Sequence, residues 1–242
     1  MARTIPPDRL AAVIDAAVGV FVTHGYRRTQ MQDVADSLGL AKGTLYGYAS
    51  TKEALFAAAI RYGDGLESLP RYGDLPLPAP NSEELATLVA DRLAAEVPKL
   101  ALTKALSSER LPRTSDEAQA ELAGIVTDLY ERLATNRVAI KIVDRCASEL
   151  PDLGRVWSDT ARGAQMSGME AYLDSRHRAD LITLPGPVDI VARTTVELCV
   201  LWAVHCRFDA TPLVSPSIHD DAGIASTLAN MITRSMTPTG GA

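Results

Sequence analysis

Aromatic side chains are scarce in this chain: Phe, Trp and Tyr make up 5% of 242 residues, although hydrophobic residues reach 47%. Cores must therefore be built mainly from Ala, Leu, Val and Ile, and with no alternating apolar runs this points to an all-α protein. Only three cysteines occur (Cys146, Cys199, Cys206) and none forms a CxxC pair, so any disulfide scheme leaves one over. That usage suits a reducing, cytoplasmic setting. No run of about 18 uninterrupted apolar residues is present and the start has no secretory apolar core, so no membrane partner is expected. Missing too are GxSxG, HExxH, GxGxxG and the phosphate-cradling GxxxxGK(S/T). The four histidines (His24, His177, His205, His219) are scattered and read as helix-end or surface residues. Cys199 and Cys206, the latter beside His205, are seven residues apart, about 10 Å along a helix and too far to share one ion. The chain therefore reads as a non-enzyme with no catalytic residues, no metal and no cofactor.

Net charge is −6, which by itself argues against a polyanionic partner. The distribution is uneven. Residues 1–62 carry seven Lys or Arg against five acids, and the remainder seventeen against twenty-five. A mildly basic head on an acidic body keeps the body away from a nucleic acid while the head approaches it.

The head holds the most informative stretch, residues 29–55. Thr29 with Gln32 reads as the capping box of a helix that buries Val34, Ala35 and Leu38 and stops at Gly39, which suits a left-handed residue. A second helix is expected over Ala41–Tyr48, and Ser50 with Glu53 reads as the box opening a third that turns Leu55 and Phe56 inward. A first helix over Asp8–His24, with Leu10, Val13, Ile14, Ala17 and Phe21 on one stripe, completes the head. Helix, glycine corner and short helix is how a rod is held against the DNA major groove. The second helix should expose Lys42, Thr44, Tyr46 and Tyr48, with Lys52 just beyond: donors, and no carboxylate before Glu53. Gly43 would let main-chain N–H groups come close to a phosphate. Arg28, in the link before Thr29, either meets the DNA backbone or is a solvated loop residue.

Thr29, Asp33, Val34, Ala35, Gly39, Leu40, Lys42–Tyr46, Tyr48 and Lys52–Leu55 resemble, in order and spacing, the tetracycline-repressor (TetR) family of transcription regulators. The resemblance runs over residues 8–62. With Arg28 added from the reading of the link, the expected DNA-binding set is Arg28, Thr29, Lys42, Gly43, Thr44, Tyr46, Tyr48 and Lys52. Three positions depart from the family pattern: Ala41 removes a capping hydroxyl, Gly47 replaces a larger residue, and Ala49 replaces a bulky plug. The uncapped start and the helix glycine each cost on the order of 1 kcal/mol.

Beyond residue 62, Gly63, Gly65, Pro70, Gly73, Pro76, Pro78 and Pro80 exclude a helix through 64–80. The chain thus divides into a helix-turn-helix domain, 1–62, and a helical body, 63–242, with a core over 81–236 and an unstructured tail, 237–242. Within the body, Asn81 with Glu84 and Thr114 with Glu117 open helices, Pro151 heads another over 152–178, and further helices span 188–205 and 220–236. The helix 188–205 carries Val188, Val191, Thr195, Leu198 and Trp202 on one side and Ile190, Thr194 and Leu201 on another. One subunit's core covers only part of such a surface, so segments 152–178 and 188–205 suit a homodimer; burial within a single subunit is the alternative. The resemblance further implies a pocket for a small, partly apolar molecule, for which Tyr130, Trp157, Met166, Met169 and Trp202 are candidate liners, ordinary core packing being the alternative for each. The expected function is a homodimeric repressor that reads a palindromic operator in double-stranded DNA and is released by a small-molecule effector. The alternative is an activator, or a regulator of the same fold that docks on a partner.

Overall fold

A computed structural model describes residues 8–209 and 216–238. Twelve α-helices are found among them: α1 Asp8–His24, α2 Met31–Ser37, α3 Lys42–Leu45, α4 Lys52–Tyr62, α5 Ser82–Glu96, α6 Ala101–Ser107, α7 Ser115–Thr135, α8 Arg137–Cys146, α9 Pro151–Arg155, α10 Gly163–Arg178, α11 Val188–Ala203 and α12 Asp221–Ser235. The described residues contain no strand, only an isolated parallel bridge between Ala49 and Leu77. The fold is therefore all-α. Among the described residues no helix is long and apolar enough to cross a membrane. Of the tail expected to be unstructured, 239–242 lie outside the described residues.

Packing groups the described residues into two compact units. One takes Met1–Arg92 with Asn136–Ser158, the other Leu93–Thr135 with Asp159–Ala242. In the first, Val13, Ile14, Ala17 and Phe21 of α1 meet Leu55, Phe56, Ala59 and Ile60 of α4, and α8 covers both with Ile142, Val143 and Cys146. The rings of Phe21 and Phe56 meet edge to face at 4.9 Å. In the second, α7 is central, packing on α11 and α12, while α10 lies against α6 and α11. Arg176, buried on α10, is satisfied there by Glu121 at 3.0 Å and by the Ala105 carbonyl, and its guanidinium lies 4.5 Å over the Tyr172 ring.

A polar knot closes the first unit. Asp64, just past α4, accepts hydrogen bonds from the main-chain N–H groups of Val138 (2.7 Å) and Ala139 (3.1 Å), capping α8. Arg92 donates to Asp64 (2.8 Å), to the Ile60 carbonyl (2.6 Å) and to Asn136 (2.7 Å). One carboxylate and one guanidinium thereby tie the ends of α4, α5 and α8 together.

Several local expectations are met in full. α1 has the bounds read from the sequence, and Gly25 (φ 77°) and Gly39 (φ 62°) end α1 and α2 in the left-handed region. The box at Asn81/Glu84 forms, with Glu84 N–H donating to Asn81 at 2.9 Å, and Thr114 caps α7 by accepting from the Glu117 N–H at 3.2 Å, while the Glu117 carboxylate accepts from the Arg113 N–H at 2.7 Å.

Others need correction. Gln30, not Thr29, caps α2, its N–H held by Asp33 at 2.8 Å, because the buried Thr29 hydroxyl donates to the Gly25 carbonyl at 2.6 Å. Thr51, not Ser50, caps α4. Ser50 is committed elsewhere: its N–H and its hydroxyl both donate to the Leu77 carbonyl. The helix expected over Ala41–Tyr48 is regular only for Lys42–Leu45, and the chain then tightens through turns in which Gly47 and Tyr48 donate back three residues. The span 152–178 is not one uniform helix, since a wider π-helical stretch, Val156–Arg162, separates α9 from α10.

Candidate nucleic-acid interface

The side chains expected to meet DNA divide into three groups. Lys42 and Gly43 are exposed, Tyr46 is 42% exposed and Thr44 is half-buried, so α3 and the residue after it present an acid-free face. Arg28 is exposed on the link ahead of α2, and neither Arg28 nor Lys42 has a side-chain partner among the described residues. A Cβ added at Gly43 would meet nothing within 4 Å, so nothing within the chain requires glycine there. A close approach from outside would.

Lys52 forms the second group. It is half-buried, and its ammonium donates to the Tyr26 carbonyl at 3.0 Å while lying 4.4 Å from the centre of the Tyr26 ring. The Tyr26 hydroxyl in turn donates to Glu53 at 2.7 Å. Burial, then the Glu53 carboxylate, push the Tyr26 phenol well above its ordinary range, so it stays protonated as a donor. At Glu53 burial acts to raise the carboxyl, but the hydrogen bonds from Tyr26, from its own main-chain N–H and from Thr51 outweigh it and hold the group below its usual value. Lys52 is thus part of a rigid cluster at the start of α4.

The third group does not face solvent. Thr29 is buried, and so is Tyr48, whose hydroxyl has no hydrogen-bond partner among the described residues. This corrects the expectation that Tyr48 is exposed. Its position was extrapolated at helical spacing, but regular helix ends at Leu45, and the following turns rotate Tyr48 inward beside the small, equally buried Ala49. Contacts to the main chain add support from far away in sequence. The Arg27 N–H donates to Glu149 at 2.5 Å, and the Leu77 N–H to the Tyr48 carbonyl at 2.8 Å. No local signal announces either.

A family model described as bacterial regulatory proteins, tetR family, matches residues 13–59, which hold most of α1 and all of α2 and α3 in the arrangement just described. Residues 13–59 thus carry a tetR-type amino-terminal domain. Solved structures extend the likeness of fold over almost the whole chain. A tetR-family regulatory protein from Rhodococcus RHA1 is 19% identical, with 94% of this chain and 96% of that one covered and a TM-score of 0.50. The ketosteroid transcriptional regulator KstR2 of Mycobacterium tuberculosis is 16% identical, with coverages of 98% and 99% and a TM-score of 0.57. The tetR-family regulator PfmR from Thermus thermophilus is 18% identical, with coverages of 96% and 97% and a TM-score of 0.50. At these identities the resemblance is one of fold. No curated protein sequence matches.

The match assigns residues 13–59 to the helix-turn-helix domain with which bacterial regulators of that family bind DNA. The five liners expected for an effector pocket fall in different settings. Tyr130 and Met169 are buried, and the Tyr130 hydroxyl donates to Asp221 at 2.8 Å; Met166 and Trp202 are half-buried in the same unit. Trp157 lies in the other unit, with its indole N–H on Asp144 at 3.2 Å. That unit also has an open cleft of about 460 Å³ between α5 and α9, lined by Glu83, Ala86, Thr87, Ala90, Asp152, Arg155 and Val156. None of these was singled out from sequence. The one available signal was the pair of alanines four apart on α5, which leaves a trough on one helix face.

Proposed function

We propose that this tetR-family regulator is a homodimeric repressor whose α3, with Arg28 ahead of it, docks on a palindromic operator and is released when a small, partly apolar molecule occupies its helical body. Residues 1–62 act as the DNA-binding domain and 63–242 as the effector and dimer domain, in a cytoplasmic protein. The observation that carries the reading is the exposed, acid-free face of Lys42, Gly43, Thr44 and Tyr46, with two cations, Lys42 and Arg28, that nothing in the described chain neutralises. Phosphate oxygens are the natural acceptors for such donors, and most protein–DNA hydrogen bonds go to phosphate and sugar.

Dimerisation is supported by α11. Val191 and Thr195 are buried, whereas Ile190 is 58% and Leu201 44% exposed about a third of a turn away, beside Glu197, so two large apolar side chains are left uncovered in a single chain. A twofold pair also supplies the two reading helices that a palindrome needs. For the effector, the cleft between α5 and α9 has the size of a small-molecule site, with Ala86, Ala90 and Val156 as apolar lining and Glu83 and the Arg155–Asp152 ion pair as its polar groups.

The test is binding to the DNA flanking the coding region by mobility shift, with Lys42→Ala beside the native protein. The variant should bind specific and random DNA more weakly and lower the salt dependence by about one phosphate contact. An unchanged slope removes Lys42 from the interface. No shift at low salt favours the activator or partner-docking reading, for which the uncapped start of α3 at Ala41 is the supporting feature.

A further inference from the structure

Between α4 and α5 the chain does not run directly from helix to helix. It returns to the helix-turn-helix at one point: the Leu77 N–H donates to the Tyr48 carbonyl at 2.8 Å, and the Leu77 carbonyl accepts from the Ser50 N–H at 3.0 Å and from the Ser50 hydroxyl at 3.0 Å. Three hydrogen bonds thus fasten residue 77 across the main chain that leaves α3. Both residues in the middle of the fastening, Tyr48 and Ala49, have no exposed surface.

From that point to α5 the sequence is Pro76-Leu77-Pro78-Ala79-Pro80-Asn81. Every residue over 76–80 is conformationally restricted. The three prolines have a fixed φ, and Leu77 and Ala79 each precede a proline, which removes the helical region from them. Alternating proline of this kind makes a semi-rigid spacer of about 3.1 Å per residue, so the four steps from Leu77 to Asn81 span about 12 Å. The far end is fastened as well. Asn81 and Glu84 close a reciprocal box, with the Asn81 N–H on Glu84 at 2.8 Å and the Glu84 N–H on Asn81 at 2.9 Å, which joins the segment to the first turn of α5. That turn and the next two carry Glu83, Ala86, Thr87 and Ala90, one wall of the α5–α9 cleft.

We propose that residues 76–81 are a strut that fixes the main chain leaving the reading helix to the cleft wall on α5, so that Leu77 and Ser50 are positioning residues for operator reading. This rests on the DNA-binding function above and adds a route by which events in the cleft reach α3. A flexible connector of the same length would hold the covalent link but transmit no displacement.

The test separates the strut from the function it serves. A preferred site is first enriched from a random DNA pool by the native protein; failure to enrich any site counts against operator binding itself. Pro78→Gly/Pro80→Gly then softens the strut without touching its three hydrogen bonds, and Leu77→Pro deletes the N–H on Tyr48 while keeping an extended chain. Both variants should lose about tenfold in preference for the enriched site over random DNA, the size of one mismatched base pair, while random-DNA affinity and its salt slope stay native. Hydrogen exchange at the Ser50 amide should quicken in both. Thr87→Trp, which fills the cleft, should shift the preference in the native strut and not in the glycine-softened one, because the two ends are then uncoupled. Native preference in both strut variants, or a Thr87→Trp effect of equal size with and without the softened strut, overturns the proposal.

Discussion

Asp64→Ala is the sharpest perturbation the first unit offers. The Asp64 side chain is 2% exposed, makes two main-chain N–H contacts at the start of α8, and pairs with Arg92, whose side chain is 22% exposed. Losing a cap costs about 1 to 2 kcal/mol. Stripping one partner from a buried pair costs about 3–5 kcal/mol, most of it from the charge left behind. Arg92 keeps the Ile60 carbonyl and Asn136 as acceptors and some access to water, so the total should fall near the lower end, about 3 kcal/mol. Asp64→Asn keeps one oxygen for the α8 amides and should cost about half as much, on the order of 1.5 kcal/mol. Against a typical total of about 5–15 kcal/mol either change is measurable. The two tryptophans make the assay specific, because Trp157 sits in the same unit as Asp64 and Trp202 in the other. Urea unfolding followed by Trp157 fluorescence in a Trp202→Phe background then reports the affected unit. A loss under about 1 kcal/mol for the alanine variant, or no difference between Ala and Asn, refutes the knot as a stabilising element.

Gly43→Ala should stabilise by up to about 1 kcal/mol, since helix propensity improves and the new methyl meets nothing, while affinity for DNA falls; a variant that gains stability and keeps native affinity excludes a close phosphate at this position. Tyr48→Phe removes a buried hydroxyl without a partner and should raise stability by about 1 kcal/mol with no change in DNA affinity, measured by denaturation and mobility shift; a loss of either would place the phenol in a contact absent from this structure. Burial pushes the thiols of Cys146 and Cys199 up to about 12, so at pH 8 both stay protonated and unreactive. Native protein treated with iodoacetamide at that pH should be alkylated only at the half-buried Cys206, as read by mass spectrometry, and at all three thiols in denaturant. At Glu53 the lowered carboxyl contributes stability that is present above its ordinary value and is lost as pH falls through the folded one; Tyr26→Phe should therefore shrink the acid-induced loss, followed by thermal melting below about pH 5.

The sequence by itself determined what depends on a few neighbouring residues. It placed the glycine corners at Gly25 and Gly39, the box at Asn81/Glu84, the Thr114 cap with Glu117, the bounds of α1, and the two apolar sides of α11, though not which of them a single chain buries. Each is set by side-chain type within about four positions, the range over which helix geometry brings groups together. Tertiary structure decided the rest. Thr29 and Ser50 lost their capping roles to the Gly25 and Leu77 carbonyls, Lys52 was drawn to Tyr26, and Tyr48 turned inward where regular helix stopped. The grouping of Asn136–Ser158 with the amino-terminal helices likewise depends on partners far off in sequence, such as Asp64 for α8. Local pattern states which contacts a residue is able to make. Which of several equally able partners it takes is settled only when distant segments compete for the same donor or carbonyl in the folded chain.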